Sequence, residues 1–237
     1  MPRCHAVIVT AAGSSTRFNA SSGSSVKKEF LSIGAEPILV RAIRPFMDVP
    51  GLSLIAVTYR EGDLDEVKAM VDPLKAGRND LDIMYVKGGA TRQQSVFNAL
   101  KAINDSRKSR DVELVSIHDG ARPFLDAALV RACLDAAATY GGACPCIRVT
   151  DTLMKGGENG LLCGRLDRDG VCTVQTPQTF RFPDILHAHE AAGTGVLYTD
   201  DTGIFMDWGG KVAFVPGSAA NRKITYSTDL DAGGAGR

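Results

Sequence analysis

Short apolar runs rich in valine and isoleucine alternate with amphipathic stretches along most of this chain. The runs begin with "HAVIVT" at residue 5 and continue through "SLIAVTY", "LDIMYVKG", "ELVSIHDG" and "ACPCIRV". Between them lie longer stretches such as "RQQSVFNALKAI" and "DAALVRACLDAAATY", whose apolar spacing is typical of helices. Strands that alternate with helices form a parallel sheet joined by crossover helices. We therefore expect an α/β fold: a doubly wound, mostly parallel, Rossmann-like sheet with helices on both faces.

Composition limits what this fold can bind. The 237 residues include 27 basic and 27 acidic side chains, so the formal net charge is zero and a broad nucleic-acid-binding surface is not expected. No apolar run reaches 18 residues, so no membrane span is expected. The six cysteines lack C-x-x-C spacing and partner histidines, which favours reduced thiols of a cytoplasmic protein over a zinc site. We expect one domain over residues 1–237 that binds any anion locally.

The alternation breaks between about residues 150 and 173, where "DTLMKGGENGLLCGRLDRDGV" mixes glycines with alternating polar and apolar residues. This pattern predicts a β-hairpin arm that projects from the sheet. Because projecting arms often pack on a second subunit, we expect a homodimer. After the arm we expect two short helices, a strand at "KVAFVPG", and a last helix that is cut short. A Ser/Gly-rich patch at 19–25 is expected to be mobile.

Polar segments follow three of the predicted strands: "AAGSSTR" the first, "GGATRQQS" the third and "HDGARP" the fourth. Ligands of doubly wound sheets bind beyond the carboxyl ends of the strands, so these segments are expected to meet. The first has neither the Gly-Lys-Ser/Thr ending of a P-loop nor the three glycines of a dinucleotide fingerprint. It can still present backbone N–H groups to a phosphate, or be an ordinary turn. Arg17 adds a guanidinium that grips phosphate oxygens through two parallel hydrogen bonds.

Further charged residues extend this pattern. Lys27 and Lys28 of "VKKEFL" either form a solvated surface or complete a clamp for a polyphosphate. Asp119, at the end of a strand, either holds Mg²⁺ against phosphates or caps the next helix. His118 beside it fits a structural role better than that of a base. Lys223 of "NRKIT" is a candidate to reach over the site, while Gly88, Gly89 and Ser95 suit a flat ligand.

Nine motifs follow one another in a single order: "AAGSSTRF", "KKEFL", "GGATRQQS", "HDGARP", "DTL", "LDRDG", "QTPQTF", "TDDTG" and "NRKIT". Together they resemble the 2-C-methyl-D-erythritol 4-phosphate cytidylyltransferase family of the non-mevalonate isoprenoid pathway, over about residues 5 to 230. The resemblance implies that CTP and methylerythritol 4-phosphate give the CDP-linked alcohol and pyrophosphate, with Mg²⁺ or another divalent cation required.

The resemblance also implies roles for individual residues. Arg17 and Lys28 would stabilise the transition state at the α-phosphate, and Arg168 and Lys223 would position the acceptor phosphate. Asp119 would ligate the metal. The acceptor would be bound by Asp151, Thr152 and Thr176. The nucleotide would be held by Ala11, Ala12, Gly13, Ser14, Gly89, Ala90, Arg92 and Ser95.

Three positions depart from the family's pattern. Ser15 replaces a glycine in the first loop, and Lys27 replaces a proline before the catalytic lysine, for which the register against "EFL" favours Lys28. Ala90 replaces an aspartate that could accept a hydrogen bond from the exocyclic amine of cytosine. Selection of CTP is then expected to rest on backbone carbonyls and Ser95, so base specificity is expected to be looser.

The motifs alone also leave room for other functions. Ribitol-5-phosphate cytidylyltransferase, or another sugar- or polyol-phosphate nucleotidyltransferase, shares several of these motifs. An NAD-dependent oxidoreductase would need the missing glycines and an acidic residue where "TYR", residues 58–60, ends the second strand. A non-catalytic nucleotide-binding protein would not need both Arg17 and Lys28.

Overall fold

The computed structural model describes residues 3–23, 26–107, 111–193 and 195–231. Within these ranges the strands are β1 His5–Ala11, β2 Ser32–Ile33, β3 Glu36–Pro37, β4 Leu52–Tyr59, β5 Asp82–Lys87, β6 Leu114–Asp119, β7 Gly142–Arg148, β8 Leu153–Gly156, β9 Leu162–Leu166, β10 Cys172–Val174, β11 Gln178–Arg181 and β12 Val212–Pro216. The helices are α1 Thr16–Ser22, α2 Ile38–Met47, α3 Leu64–Val71, α4 Arg92–Asn104, α5 Ala127–Tyr140, α6 Phe182–Ala192, α7 Asp201–Asp207 and α8 Thr228–Asp231.

Eight of these strands form the central sheet, in the order β10-β7-β11-β6-β1-β4-β5, with β12 paired to β7. Strands β5, β4, β1 and β6 run parallel, which brings their carboxyl ends to one edge. Strand β11 is antiparallel to both β6 and β7. The expected doubly wound, mostly parallel sheet is therefore confirmed, and the antiparallel insertion of β11 is a feature that the apolar pattern did not reveal.

Helices cover both faces of this sheet, because alternate residues of each buried strand point to opposite sides. Val7 and Val9 of β1 pack in one core cluster with α2, α3 and α5. Ala6 and Ile8 pack in a second cluster with α4, α6 and α7. The near-continuous apolar runs of the sequence thus reflect strands that are buried on two sides.

Residues 150–173, where the alternation of strands and helices breaks, contain an antiparallel hairpin of β8 and β9. This hairpin is not part of the central sheet. Its glycine-rich connection is exposed, and so are Leu161 and Leu162, at 69% and 66%. The hairpin therefore leaves apolar side chains without cover in the described part of the chain. None of the described helices is long and apolar enough to cross a membrane.

The Ser/Gly-rich patch, expected to be mobile, is partly helical in the structure. The first helix after the glycine loop is α1, and it takes up residues 19–22 of the Ser/Gly-rich patch; residues 24 and 25 lie outside the described ranges. Helix α2 continues past Pro45 to Met47. The two helices, the strand and the terminal helix expected after the arm are present as α6, α7, β12 and α8.

Candidate active site

A cavity of about 450 Å³ opens at the carboxyl ends of β1, β5 and β6. The three polar segments of the sequence analysis meet there, as the parallel arrangement of these strands requires. Most of the residues predicted to bind nucleotide or metal line it, together with several that were not predicted. The lining residues are Thr10, Ala12, Gly13, Ser14, Ser15, Thr16, Arg17, Phe18, Lys28, Glu29, Thr58, Gly89, Ala90, Thr91, Arg92, Ser95, Asp119, Ala121, Lys223 and Thr225.

The first loop forms one wall of the cavity. Gly13 has open space on the side where a Cβ would stand, so a ligand can approach its backbone closely. Ser15 has a left-handed backbone with φ of 53°, which a glycine adopts at lower cost. Its hydroxyl donates a hydrogen bond of 3.1 Å to the buried carboxylate of Glu29. This contact ties the loop to the lysine segment. Arg17 is exposed and makes no ion pair or hydrogen bond within the described residues.

The second loop packs directly against the first. A Cβ on Gly88 would lie 2.4 Å from the Cβ of Ala12, so only glycine permits this approach. The hydroxyl of Ser95 accepts the N–H of Gly89 at 3.0 Å and donates to the carbonyl of Thr91 at 2.8 Å. Ser95 therefore holds the shape of the loop, and its hydroxyl is already engaged. Ala90 presents no polar side chain to the cavity.

The two adjacent lysines point in different directions. Lys28 lines the cavity, and its ammonium donates to the carbonyl of Ile224 at 2.8 Å. Burial lowers the pKa of Lys28 below its usual 10.5, with Glu29 opposing this effect and Lys223 adding to it. Lys27 faces the protein interior, where its ammonium lies 2.8 Å from the carboxylate of Asp63. The side chains thus place Lys28 in the cavity and Lys27 behind it.

The carboxylate of Asp119 lies among three cations. Its Oδ2 lies 3.0 Å from the ammonium of Lys223 and accepts from Arg122 at 3.2 Å, while Oδ1 is 3.7 Å from the guanidinium of Arg92. Burial alone would raise the pKa of Asp119, but the three cations outweigh it and hold the pKa far below its usual range. Asp119 is therefore ionised at neutral pH. It does not cap the next helix, because Asp126 caps α5.

Thr176, which was predicted to bind the acceptor, lies behind Asp119 and does not line the cavity. It is 4% exposed, its hydroxyl accepts the N–H of Asp119 at 3.1 Å, and it lies 2.9 Å from Nδ1 of His118. Nε2 of His118 faces the carbonyl of Arg122 at 3.2 Å. Burial lowers the pKa of His118 to about 4, so the ring is neutral and Nε2–H donates. Both side chains support the Asp119 strand end.

Arg92 connects the cavity to the "TDDTG" segment. Its guanidinium lies 2.8 Å from the carboxylate of Asp201, which is fully buried. The other oxygen of Asp201 faces Nε2 of His189 at 3.2 Å. Because Asp201 and Asp119 hold it from two sides, Arg92 has a fixed position at the cavity wall. Asp201 therefore supports the site without lining it.

Four other predicted residues lie away from the cavity. Ala11 is buried beneath it; its N–H donates to the hydroxyl of Thr58 at 3.2 Å and its carbonyl accepts from Lys27, so neither group is free for a nucleotide. Thr152 and Arg168 line a separate cavity of about 240 Å³ on the hairpin arm, next to Asp151. The structure thus brings Arg17, Lys28, Lys223 and Asp119 together at one cavity, whereas Thr152 and Arg168 of the same chain line another.

Sequence reasoning missed three residues that support the site: Glu29, Asp63 and Asp201. Glu29 lies inside the motif "KKEFL" and Asp201 inside "TDDTG", so their place in these motifs could have marked them as residues of the site. Asp63 lies in the loop after β4, and no local pattern marks it. Its importance arises from the contact with Lys27, 36 residues away.

A doubly wound α/β sheet whose carboxyl edge holds a glycine-rich loop, several cations and the ionised carboxylate of Asp119 defines a nucleotide-binding protein that handles phosphate groups. The comparisons with known proteins narrow this class. The family model described as IspD, 2-C-methyl-D-erythritol 4-phosphate cytidylyltransferase, matches residues 5–235. The chain belongs to this family.

Individual relatives agree with this assignment. The chain is 40% identical over 225 residues to the bifunctional enzyme IspD/IspF of Rhodobacter capsulatus. The matched region covers 95% of this chain and 54% of that protein. The chain is 36% identical over 228 residues to the 2-C-methyl-D-erythritol 4-phosphate cytidylyltransferase of Geobacillus thermodenitrificans, covering 94% and 92% of the two chains. The crystal structure of the Thermus thermophilus protein of that name matches with a TM-score of 0.74 and 31% identity, over 97% of each chain. This chain spans about half the length of the bifunctional relatives it matches.

Proposed function

We propose that this protein transfers CMP from CTP to 2-C-methyl-D-erythritol 4-phosphate and releases pyrophosphate. The observation that carries the proposal is the convergence of Arg17, Lys28 and Lys223 on one cavity with Asp119, beside two closely packed glycine loops. A triphosphate concentrates several negative charges in a small volume, which this set of cations matches. Family membership supports CTP and the methylerythritol phosphate as the substrates.

The proposed reaction needs no general base. A phosphate monoester has a second pKa of about 6, so the acceptor is largely a dianion at neutral pH and can attack directly. Catalysis then consists of aligning two anions that repel each other and of stabilising the charge on the transferred phosphoryl group. His118 is buried and neutral, and it takes no part in proton transfer in this proposal.

The charged residues would bind different phosphate groups in this proposal. Arg17, which has no partner within the described residues, is free to grip phosphate oxygens, and Lys28 places its ammonium beside the same cavity. These two would stabilise the α-phosphate as the acceptor attacks in line. Lys223 would hold the acceptor phosphate. Gly13, Gly89 and their neighbours would bind the nucleotide through backbone groups.

We further propose that Asp119 holds a Mg²⁺ ion together with the phosphates of CTP. The carboxylate is ionised, and its Oδ1 accepts no hydrogen bond within the described residues and lies 3.7 Å from the guanidinium of Arg92, so this oxygen is the one that would bind a metal. The described residues contain no cluster of three or more side chains able to hold a metal. One carboxylate plus substrate phosphates is an ordinary way to bind Mg²⁺. The ion would supply charge neutralisation on the triphosphate.

The predicted acceptor-binding residues of the arm suggest how the site is completed. Arg168 and Thr152 lie in a cavity on the hairpin rather than in the main cavity, and the hairpin exposes Leu161 and Leu162. We propose that the chain is one domain with an arm, that two copies form a homodimer through their arms, and that each arm carries Arg168 towards the partner's cavity. All six cysteines are free thiols, which fits work in the reducing cytoplasm.

A coupled assay of pyrophosphate release tests the reaction. The purified protein is supplied with CTP and Mg²⁺, and with methylerythritol 4-phosphate or ribitol 5-phosphate in parallel. We expect release with methylerythritol 4-phosphate and a loss of kcat by about 10² or more in Arg17→Ala or Lys28→Ala, the scale for one preorganised charge. Preference for ribitol 5-phosphate would reassign the acceptor, and CTP binding without release would indicate a non-catalytic protein.

A further inference from the structure

Lys27 is the most deeply buried cation near the cavity, yet it does not face it. Its side chain is 5% exposed, its ammonium lies 2.8 Å from Oδ2 of Asp63, and it also donates to the carbonyl of Ala11. The ring of Phe30 lies 5.3 Å from the same ammonium. One buried charge therefore joins three segments: the end of β1, the loop between β4 and α3, and the turn that carries Lys28.

Such a pair is a poor source of stability. Removing two charges from water costs free energy that their attraction does not always repay, and apolar replacements of both partners are often neutral or stabilising. A buried ion pair does, however, fix the distance between the segments that carry it. Ala11 directly precedes the first loop, and Lys27 directly precedes Lys28, so the contact of the Lys27 ammonium with the Ala11 carbonyl joins two walls of the cavity while Asp63 holds the same ammonium.

We propose that Lys27 and Asp63 are positioning residues that hold Lys28 and the first loop at the separation required for reaction. The inference rests on the proposed function, because it assigns Lys28 a part in the chemical step. A displacement of about 1 Å at a reacting group can cost about 10²-fold in rate, so a small shift of this turn has a large effect on kcat.

The backbone of Lys27 suggests a second way to hold the same turn. Its φ of −68° is within the range that a proline ring imposes, and its ψ of 131° is an extended value that proline also adopts. A proline at this position would restrict the backbone before Lys28 without any charge. Replacement of the ion pair by such a ring separates the geometric role of the pair from its charge.

The test compares steady-state kinetics and thermal unfolding of the full chain and four variants. In Lys27→Met/Asp63→Leu both charges are removed, so neither is left buried and unpaired. We expect its Tm to stay within a few degrees of the parent, its kcat to fall about tenfold or more, and its KM for CTP to change less than about threefold. Lys27→Pro/Asp63→Leu is expected to recover most of kcat. Asp63→Asn keeps an acceptor oxygen for Lys27 but leaves its buried charge without a counter-ion, so we expect a lower Tm than in the apolar double variant and a smaller loss of kcat.

The matched control is Glu61→Gln. Glu61 lies on the same loop as Asp63, and the substitution breaks its exposed ion pair with Lys87. It is expected to leave kcat and KM unchanged. The positioning role is overturned if the apolar double variant keeps kcat within twofold of the parent, or if its kcat and Tm fall together and the proline variant recovers neither. Should the apolar double variant fail to fold, Asp63→Asn with full parental kcat would overturn the proposal, and a reduced kcat measured well below the Tm of this variant would support it. A parent that releases no pyrophosphate would instead refute the proposed function.

Discussion

The ammonium of Lys223 lies 3.0 Å from Oδ2 of Asp119, so a residue near the end of the chain neutralises the carboxylate at the end of a central strand. Arg122 reaches the same oxygen at 3.2 Å. These contacts keep Asp119 ionised although it is buried, and they place its carboxylate among the cations of the cavity.

This arrangement makes stability depend on pH. Because the pKa of folded Asp119 is held below its unfolded value of about 3.9, its stabilising contribution is present above that pH and is lost as pH falls towards the folded pKa. Lys223→Met should therefore cost most stability near neutral pH, and the cost should shrink as the pH falls from about 3.9 towards the folded pKa, where Asp119 becomes protonated. Urea unfolding of parent and variant across this range measures the difference. A cost that does not change with pH would contradict the assignment.

The apolar pattern of the sequence predicted the strands of the parallel sheet. These strands are buried on both faces, as in β1 and β4, so nearly all of their residues are apolar. Sequence patterns also predicted that Arg17, Lys28 and Asp119 lie together, since parallel strands bring their carboxyl ends to one edge. They did not predict that Thr176 supports Asp119 from behind, or that Asp63 pairs with Lys27. Those contacts join residues far apart in the chain, and their geometry depends on packing that no local pattern records.

Lys28 should limit the proposed reaction at alkaline pH. Burial lowers its pKa below 10.5, so the ligand-free protein loses this positive charge at a lower pH than an exposed lysine would. We expect kcat/KM for CTP, which reports the free enzyme, to decline on the alkaline side below pH 10.5. Lys28→Arg should move this decline to higher pH because a guanidinium stays charged. The exposed Lys211→Arg serves as control, and an unmoved decline in Lys28→Arg would rule out Lys28 as its source.

Ala90 offers a test of base selection. It lines the cavity in the second loop and brings no acceptor for the exocyclic amine of cytosine. Ala90→Asp should add one, and a good base-edge hydrogen bond discriminates by about 1–3 kcal/mol. We expect the ratio of kcat/KM for CTP to that for UTP to rise by about tenfold or more in this variant, with Ala90→Asn as the uncharged comparison. Equal efficiency with CTP and UTP in the parent would overturn the proposed cytidylyl transfer.

The backbone of Ser15 lowers the free energy of unfolding, whereas its side chain raises it. Its left-handed conformation costs about 1–2 kcal/mol relative to glycine, while its hydrogen bond to a buried carboxylate contributes about 1.5–3 kcal/mol. Ser15→Ala should lose the bond and keep the strain, whereas Ser15→Gly should lose the bond and relieve the strain. The free energy of unfolding is therefore expected to decrease in the order parent, Ser15→Gly, Ser15→Ala. Chemical denaturation measures it, and a Ser15→Ala protein as stable as Ser15→Gly would mean that the φ of 53° stores no strain.

The proposed dimer predicts that two inactive proteins restore each other. If the arm of one copy carries Arg168 to the cavity of its partner, then a mixed dimer of Arg168→Ala and Lys28→Ala chains contains one site with both residues intact. Mixing the two variants under conditions that exchange subunits should recover up to about one quarter of parental activity, because about half of the dimers are mixed and each has one complete site. Size-exclusion chromatography checks that dimers form. Mixtures that remain inactive although subunits exchange would place Arg168 and Lys28 of the same chain in one site, and a monomeric parent would exclude the dimer itself.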